Sequence, residues 1–306
     1  MIASFTELCT YVYVVIDDLY QALIAPQDRR PGPRSTCSES EVITLTLVAE
    51  LTGQDEEGPF LAYVRRNHPT LFPLLPERSR YNRRRRRLTA VTNRLRVALL
   101  QRLLRRLDAS ERRLCLIDSL PVPVVGFAHA RGSHRWYGEA AYGYNAAKKQ
   151  TFYGFKLHLL ATQSGLVLDF ALVPANRVDG ALTAQLLSQT AHLVVLGDKA
   201  YLNAPLQAEL ARQHAVTLLT PPRANQTQDP AAPPHPLTPL LSSLRQAIET
   251  LNAQLAEQFQ VERNRAKSVP GLCARIQAKL TAHTLGVYLN EWLGQPCRAL
   301  AALNLI

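Results

Sequence analysis

Apolar and polar residues follow two different rhythms along this chain, and the change falls near residue 110. Before it, apolar positions recur at helical spacing. Residues 1–25 read as one helix. Ser38 followed by Glu41 forms a capping box that opens a second helix, ending near Gly53. A shorter helix fits 58–67. From Leu88 onward, Val91, Leu95, Leu99, Leu103 and Leu107 make one apolar stripe, with Arg94, Arg96, Arg102, Arg105 and Arg106 off it. Between the first two helices, Ala25 to Pro33 is a linker by its Pro and Gly content.

After Arg113 the runs become short, apolar and β-rich. Strands are predicted at 114–119, 151–162, 166–173, 193–197 and 216–220, with helices at 179–191 and 203–213. That order argues for an α/β fold with a mixed five-stranded sheet flanked by helices. Residues 221–239 hold seven prolines and read as an extended connection. A helix follows with a stripe at Leu241, Leu244, Ile248, Leu251 and Leu255. A last apolar helix, about 271–293, serves the core or a dimer face. Two domains are expected: an all-helical region at 1–110, and an α/β domain with C-terminal helices at 111–306.

Composition changes this picture at one place. The net charge of the 306 residues is +11, and it is concentrated. Between Arg78 and Arg113 lie 14 arginines against only Asp108 and Glu111, so the remainder is close to neutral. Arg83, Arg84, Arg85, Arg86 and Arg87 are consecutive, and uninterrupted like charge favours a polyanion partner over a merely solubilising face. No run reaches the ~18 apolar residues of a membrane span. No basic stretch precedes the apolar residues of the N-terminus, which argues against a secretory signal. Five scattered cysteines without a Cys-x-x-Cys pair read as reduced thiols of a cytoplasmic protein.

The candidate chemistry lies in two apolar runs that each contain an aspartate. Asp118 follows Leu114-Cys115-Leu116-Ile117, and Asp198 follows Leu193-Val194-Val195-Leu196-Gly197. A carboxylate at the end of a buried strand is costly unless a cation or hydrogen bonds satisfy it. Glu249, on the helix beginning near 241, supplies a third carboxylate. Three such groups suit Mg²⁺, and a pair of ions roughly 4 Å apart suits phosphodiester chemistry. Taken singly, each has a plainer reading. Asp118 would be a turn-former before Leu120-Pro121, Asp198 a surface partner of Lys199, and Glu249 an i,i+4 partner of Arg245. Lys156 and His158 share one strand face; the first would meet a phosphate, and the second reads equally well as a polar core residue. The segment from Arg131 to Lys149 reads either as a surface loop or as a track for a DNA strand, with Trp136 as its stacking side chain.

These motifs resemble those of bacterial insertion-sequence transposases with an Asp-Asp-Glu active site on a ribonuclease-H-like fold. The matching stretches are Leu116-Ile117-Asp118-Ser119, Gly138 to Tyr144, Tyr153-Gly154-Phe155-Lys156-Leu157-His158, Pro174-Ala175-Asn176, Gly197-Asp198-Lys199-Ala200-Tyr201, Leu219 to Arg223, Arg245-x-x-Ile248-Glu249-Thr250 and Val261 to Ala266. The resemblance implies Asp118, Asp198 and Glu249 as catalytic metal ligands, with Mg²⁺ or Mn²⁺ as two ions. It implies binding to terminal inverted repeats and target DNA as a homodimer or larger assembly, in the bacterial cytoplasm at the nucleoid. Lys199 and Arg245 join the expected DNA contacts. Two positions depart from many relatives: Ala256 stands where a lysine is common, and Ser242 where a tyrosine is. A nuclease that cuts without joining, and a non-catalytic DNA-binding regulator, are the alternatives.

Overall fold

The computed structural model describes residues 2–25, 35–126, 129–130, 134–145, 148–177, 179–187, 190–201, 203–220 and 241–303. The expected linker beyond Ala25 and the proline-rich connection at 221–239 lie outside them. Contacts divide the chain into two compact units, residues 1–103 with 255–306, and residues 104–254.

The first unit is helical. It begins with α1 (Phe5–Leu23), capped by Ser4, whose side chain accepts from the Glu7 amide. Next come α2 (Glu39–Leu51), α3 (Glu57–Asn67), α4 (Arg78–Arg87) and α5 (Thr89–Leu104). The reciprocal capping box of Ser38 and Glu41 is present, so two orphan amide donors at the start of α2 are satisfied. Nearly every residue of α2 is buried, including Ser40, Thr44, Thr46 and Glu50, the last paired with Lys279 at 2.7 Å. The arginine run, read from sequence only as a charged segment, forms a helix of its own.

The second unit opens with the short α6 (Ala109–Arg113), capped by Asp108 and Glu111. It then builds a mixed sheet from β1 (Leu114–Val125), β2 (Ala141–Asn145), β3 (Gln150–Thr162), β4 (Val167–Pro174), β5 (Val194–Gly197) and β6 (Thr217–Leu219). Two helices, α7 (Asp179–Leu187) and α8 (Ala204–His214), separate the last strands, and α9 (Leu241–Ala253) follows. β1 runs antiparallel to β3 and parallel to β5, and β5 runs parallel to β6. β2 and β4 share the outer edge of β3 end to end, β2 against 150–154 and β4 against 155–161. The sheet therefore has six strands where five are expected from sequence. The sixth lies in the segment read as a surface loop, where Tyr142 and Tyr144 alternate outward and pairing with β3 holds an otherwise weak strand.

β1 also runs beyond its predicted end at 119, through Pro121 and Pro123. The two prolines are two residues apart, so both remove a donor from the same edge, and β5 pairs with β1 only as far as Ile117. Asp118 is thus a mid-strand residue and not a turn-former. Close approach of β1 and β3 is secured at Gly154, where a Cβ would lie 2.2 Å from the Val122 carbonyl oxygen. On one face of the sheet Cys115, Ile117, Leu160, Val195 and Leu218 are buried beneath Leu186, Leu187 and Leu210 of α7 and α8. Past α9 the chain makes a π-helical turn at Gln254–Gln258 and returns to the first unit as α10 (Val269–Trp292), which packs on α2.

Candidate active site

β1 and β5 are in parallel register with Ile117 opposite Gly197. The next residue after each of these is an aspartate: Asp118 continues β1, and Asp198 directly follows the end of β5, both at the carboxyl end of the parallel pair. Open α/β sheets characteristically bind ligands at that end. Side chains alternate across a strand, so Ile117 enters the core under α7 and α8 while Asp118 faces the opposite side. That side is covered by α9, which packs on β1.

Asp118 is half-buried and held on both oxygens. The Ser119 amide donates to Oδ1 at 2.8 Å, and Asn252 Nδ2 donates to Oδ2 at 2.6 Å. Asp198 is exposed and opens a short 3-10 turn at 199–201, its Oδ1 accepting from the Ala200 amide at 2.7 Å. Tyr201 closes that turn and is buried, with its hydroxyl 3.1 Å from His158 Nδ1. His158 is fully buried on β3, which makes it the polar core residue of the two sequence readings. Gly197 leaves room for this packing, since a Cβ there would lie 3.0 Å from Ile117 and 3.1 Å from Tyr201. Burial pushes the Cys115 thiol up to about 12, so it stays protonated beneath the site and serves packing.

Glu249 is exposed on α9, one turn before Asn252. Among the described residues no group of three or more His, Cys, Asp or Glu side chains is close enough to hold a metal ion. The β1–β5 register thus places Asp118 and Asp198 one residue beyond the pair Ile117 and Gly197, and among the described residues Glu249 does not complete a cluster with them. The donor chemistry still fits a hard divalent cation. The groups are carboxylate oxygens, and Asn252 Oδ1 is buried beside Asp118 without a hydrogen-bond partner among the described atoms. Sequence reasoning missed Asn252. Its only signal was the three-residue spacing from Glu249, which puts both on one helix face.

The candidate DNA contacts divide sharply. Arg83, Arg86 and Arg87 are exposed on α4. Arg84 is half-buried and donates to Ser35 Oγ at 3.0 Å and to the Cys37 carbonyl at 2.8 Å. Arg85 is turned inward, 7% exposed, with Nη2 2.9 Å from Glu57 Oε1. It is therefore a buried structural ion-pair partner and not a phosphate contact. Arg245 is exposed, Lys156 is half-buried in mid-strand, and the Lys199 side chain lies outside the described residues. Trp136 also corrects its expected role. It is 2% exposed and packs edge-on against Phe155 at 5.9 Å, so no ring face is open to a base. The exposed aromatics of this region are Tyr137, Tyr142 and Tyr144.

The mixed sheet and its flanking helices are matched by a known family. The model of the transposase DDE domain family matches residues 109–285, more than half of the chain, and the protein belongs to that family. The mixed sheet with flanking helices is the ribonuclease-H-like fold of such domains. No curated protein and no solved structure matches the chain. No helix among the described residues is long and apolar enough to cross a membrane.

Proposed function

We propose that this protein is the transposase of a bacterial insertion sequence, acting in the cytoplasm on nucleoid DNA. It binds the terminal inverted repeats of its element, hydrolyses a phosphodiester at the transposon end, and joins the freed 3′-hydroxyl to target DNA. The observation that supports this reading is the parallel register of Ile117 with Gly197, the residues directly before Asp118 and Asp198. Asp118, Asp198 and, from α9, Glu249 would hold Mg²⁺ or Mn²⁺. Bound as a pair, such ions activate the attacking water or hydroxyl and stabilise the leaving oxygen. A bound cation would offset the repulsion among the three carboxylates.

The chain's own residues supply the remaining functions. Ser119 and Asn252 orient the Asp118 carboxylate. Exposed Arg83, Arg86 and Arg87 contact phosphates, as do Arg245, Lys156 and Lys199 in the sheet unit. The helical unit binds DNA and oligomerises, since two element ends must be held at once by a dimer or larger assembly.

The test is cleavage of a duplex carrying the element's terminal repeat, followed at nucleotide resolution with Mg²⁺. End-specific nicking and joined products are expected, with each of Asp118→Asn, Asp198→Asn and Glu249→Gln slowing the reaction by about 10³-fold. Nicking without joining would make the protein a nuclease. Salt-sensitive binding without any cleavage would make it a regulator.

A further inference from the structure

We propose that Asn252 is a positioning residue for Asp118, tying the helix that bears Glu249 to the strand that bears the first aspartate. This rests on the reading of Asp118 as a metal ligand. The amide of Asn252 reaches Asp118 Oδ2 at 2.6 Å while the Ser119 amide holds Oδ1 at 2.8 Å, so the rotation of the carboxylate plane is set from two elements. A carboxylate held by two donors keeps its lone pairs in one orientation, which is how outer hydrogen bonds tune metal ligands.

Asn252 is also an unexpected residue at its position. It is half-buried between the buried Leu251 and Leu255 of the α9 stripe and the following turn. Asparagine is a poor helix former, and a leucine or alanine would serve packing better. Its Oδ1 is buried and lacks a hydrogen-bond partner among the described atoms, which carries a desolvation cost. A local rule broken in this way is the mark of a functional position. The same amide that donates to Asp118 presents an acceptor on its other side, suited to a water or hydroxyl at the site. Glu249 lies three residues earlier, one turn along the same face, so the Asn252 contact fixes how far along β1 that glutamate sits.

The test uses the full chain, free of DNA, and reads Mn²⁺ binding by electron paramagnetic resonance alongside cleavage. Asn252→Ala is expected to weaken Mn²⁺ affinity about tenfold. Asn252→Leu keeps a side chain of similar size and is a better helix former, but it has no donor for Asp118. It should be at least as stable as the wild type and still lose Mn²⁺ affinity about tenfold, a separation that a packing role would not produce. Wild-type Mn²⁺ affinity in Asn252→Ala or in a folded Asn252→Leu overturns the proposal. Equal Mn²⁺ binding by the wild type and Asp118→Asn would instead sink the metal reading, and the positioning role with it.

Discussion

Arg85 and Arg86 are neighbours in one run of five arginines, and their replacement should have opposite consequences. Arg85→Met removes a guanidinium that is 7% exposed and 2.9 Å from a Glu57 carboxylate itself only 11% exposed. Losing one partner of a buried pair costs about 3–5 kcal/mol, because the remaining charge stays desolvated. Glu57 would keep Asn82, which donates to its two oxygens at 2.8 and 2.9 Å, and Arg275 at 3.7 Å. Those partners set the expected cost at the lower end, about 3 kcal/mol. Arg86→Met, at an exposed position, should leave stability within ~0.5 kcal/mol. DNA binding should respond the other way. Arg86→Met is expected to lower the slope of log affinity against log salt by about 1, the loss of one phosphate contact, and Arg85→Met to leave the slope unchanged. Urea unfolding and fluorescence anisotropy over a salt series measure both quantities. An Arg85→Met protein with the wild-type urea midpoint and a reduced salt slope would refute the inward assignment.

Two further outcomes are expected. Burial of His283 in α10, aided by nearby Arg298, pushes its pKa down to about 4, so the folded state holds it neutral while the unfolded chain protonates near 6.5. The unfolded state then binds more protons between those values, and stability is lost as pH falls through that window, by about 3 kcal/mol at ~1.4 kcal/mol per pH unit. His283→Leu should flatten this part of the stability profile, and an unchanged slope in urea melts from neutral to acid pH would contradict it. Trp136→Ala should destabilise the sheet unit by ~3–5 kcal/mol as a core truncation. At a temperature where the variant stays folded, its affinity for single-stranded DNA should be that of the wild type; a stability-neutral variant with weakened binding would restore the stacking role.

Much of the architecture was legible because it rests on periodicity. The capping box at Ser38, the strand carrying Asp118, the strand ending just before Asp198, and the buried Ile248, Leu251 and Leu255 all follow from local pattern. What escaped depended on partners distant in sequence. β2 has only two tyrosines in alternation, and it is a strand because β3 offers an edge. β1 continues through two prolines because β5 stops short of them. An aromatic in a mixed segment reads the same whether it stacks on a base or fills a core, and Trp136 fills the core. Arg85 was in principle readable. Five consecutive residues sweep more than one full helical turn, so one must face inward. The stripe of Tyr81, Arg85 and Leu88, all buried, marks which one. At the candidate site the strands leading into Asp118 and Asp198 were readable from sequence, whereas the hydrogen bond from Asn252 depends on how α9 lands on β1.

If Asp198 and Asp118 jointly hold a divalent ion, changing the ligand chemistry at Asp198 should change which metal supports cleavage. Asp198→Cys substitutes a soft thiolate for a hard carboxylate. Cleavage of a terminal-repeat duplex by this variant should be lost in Mg²⁺ and recovered in Mn²⁺, with the wild type active in both. Undiminished cleavage by Asp198→Cys in Mg²⁺ would contradict the assignment of Asp198 as a metal ligand.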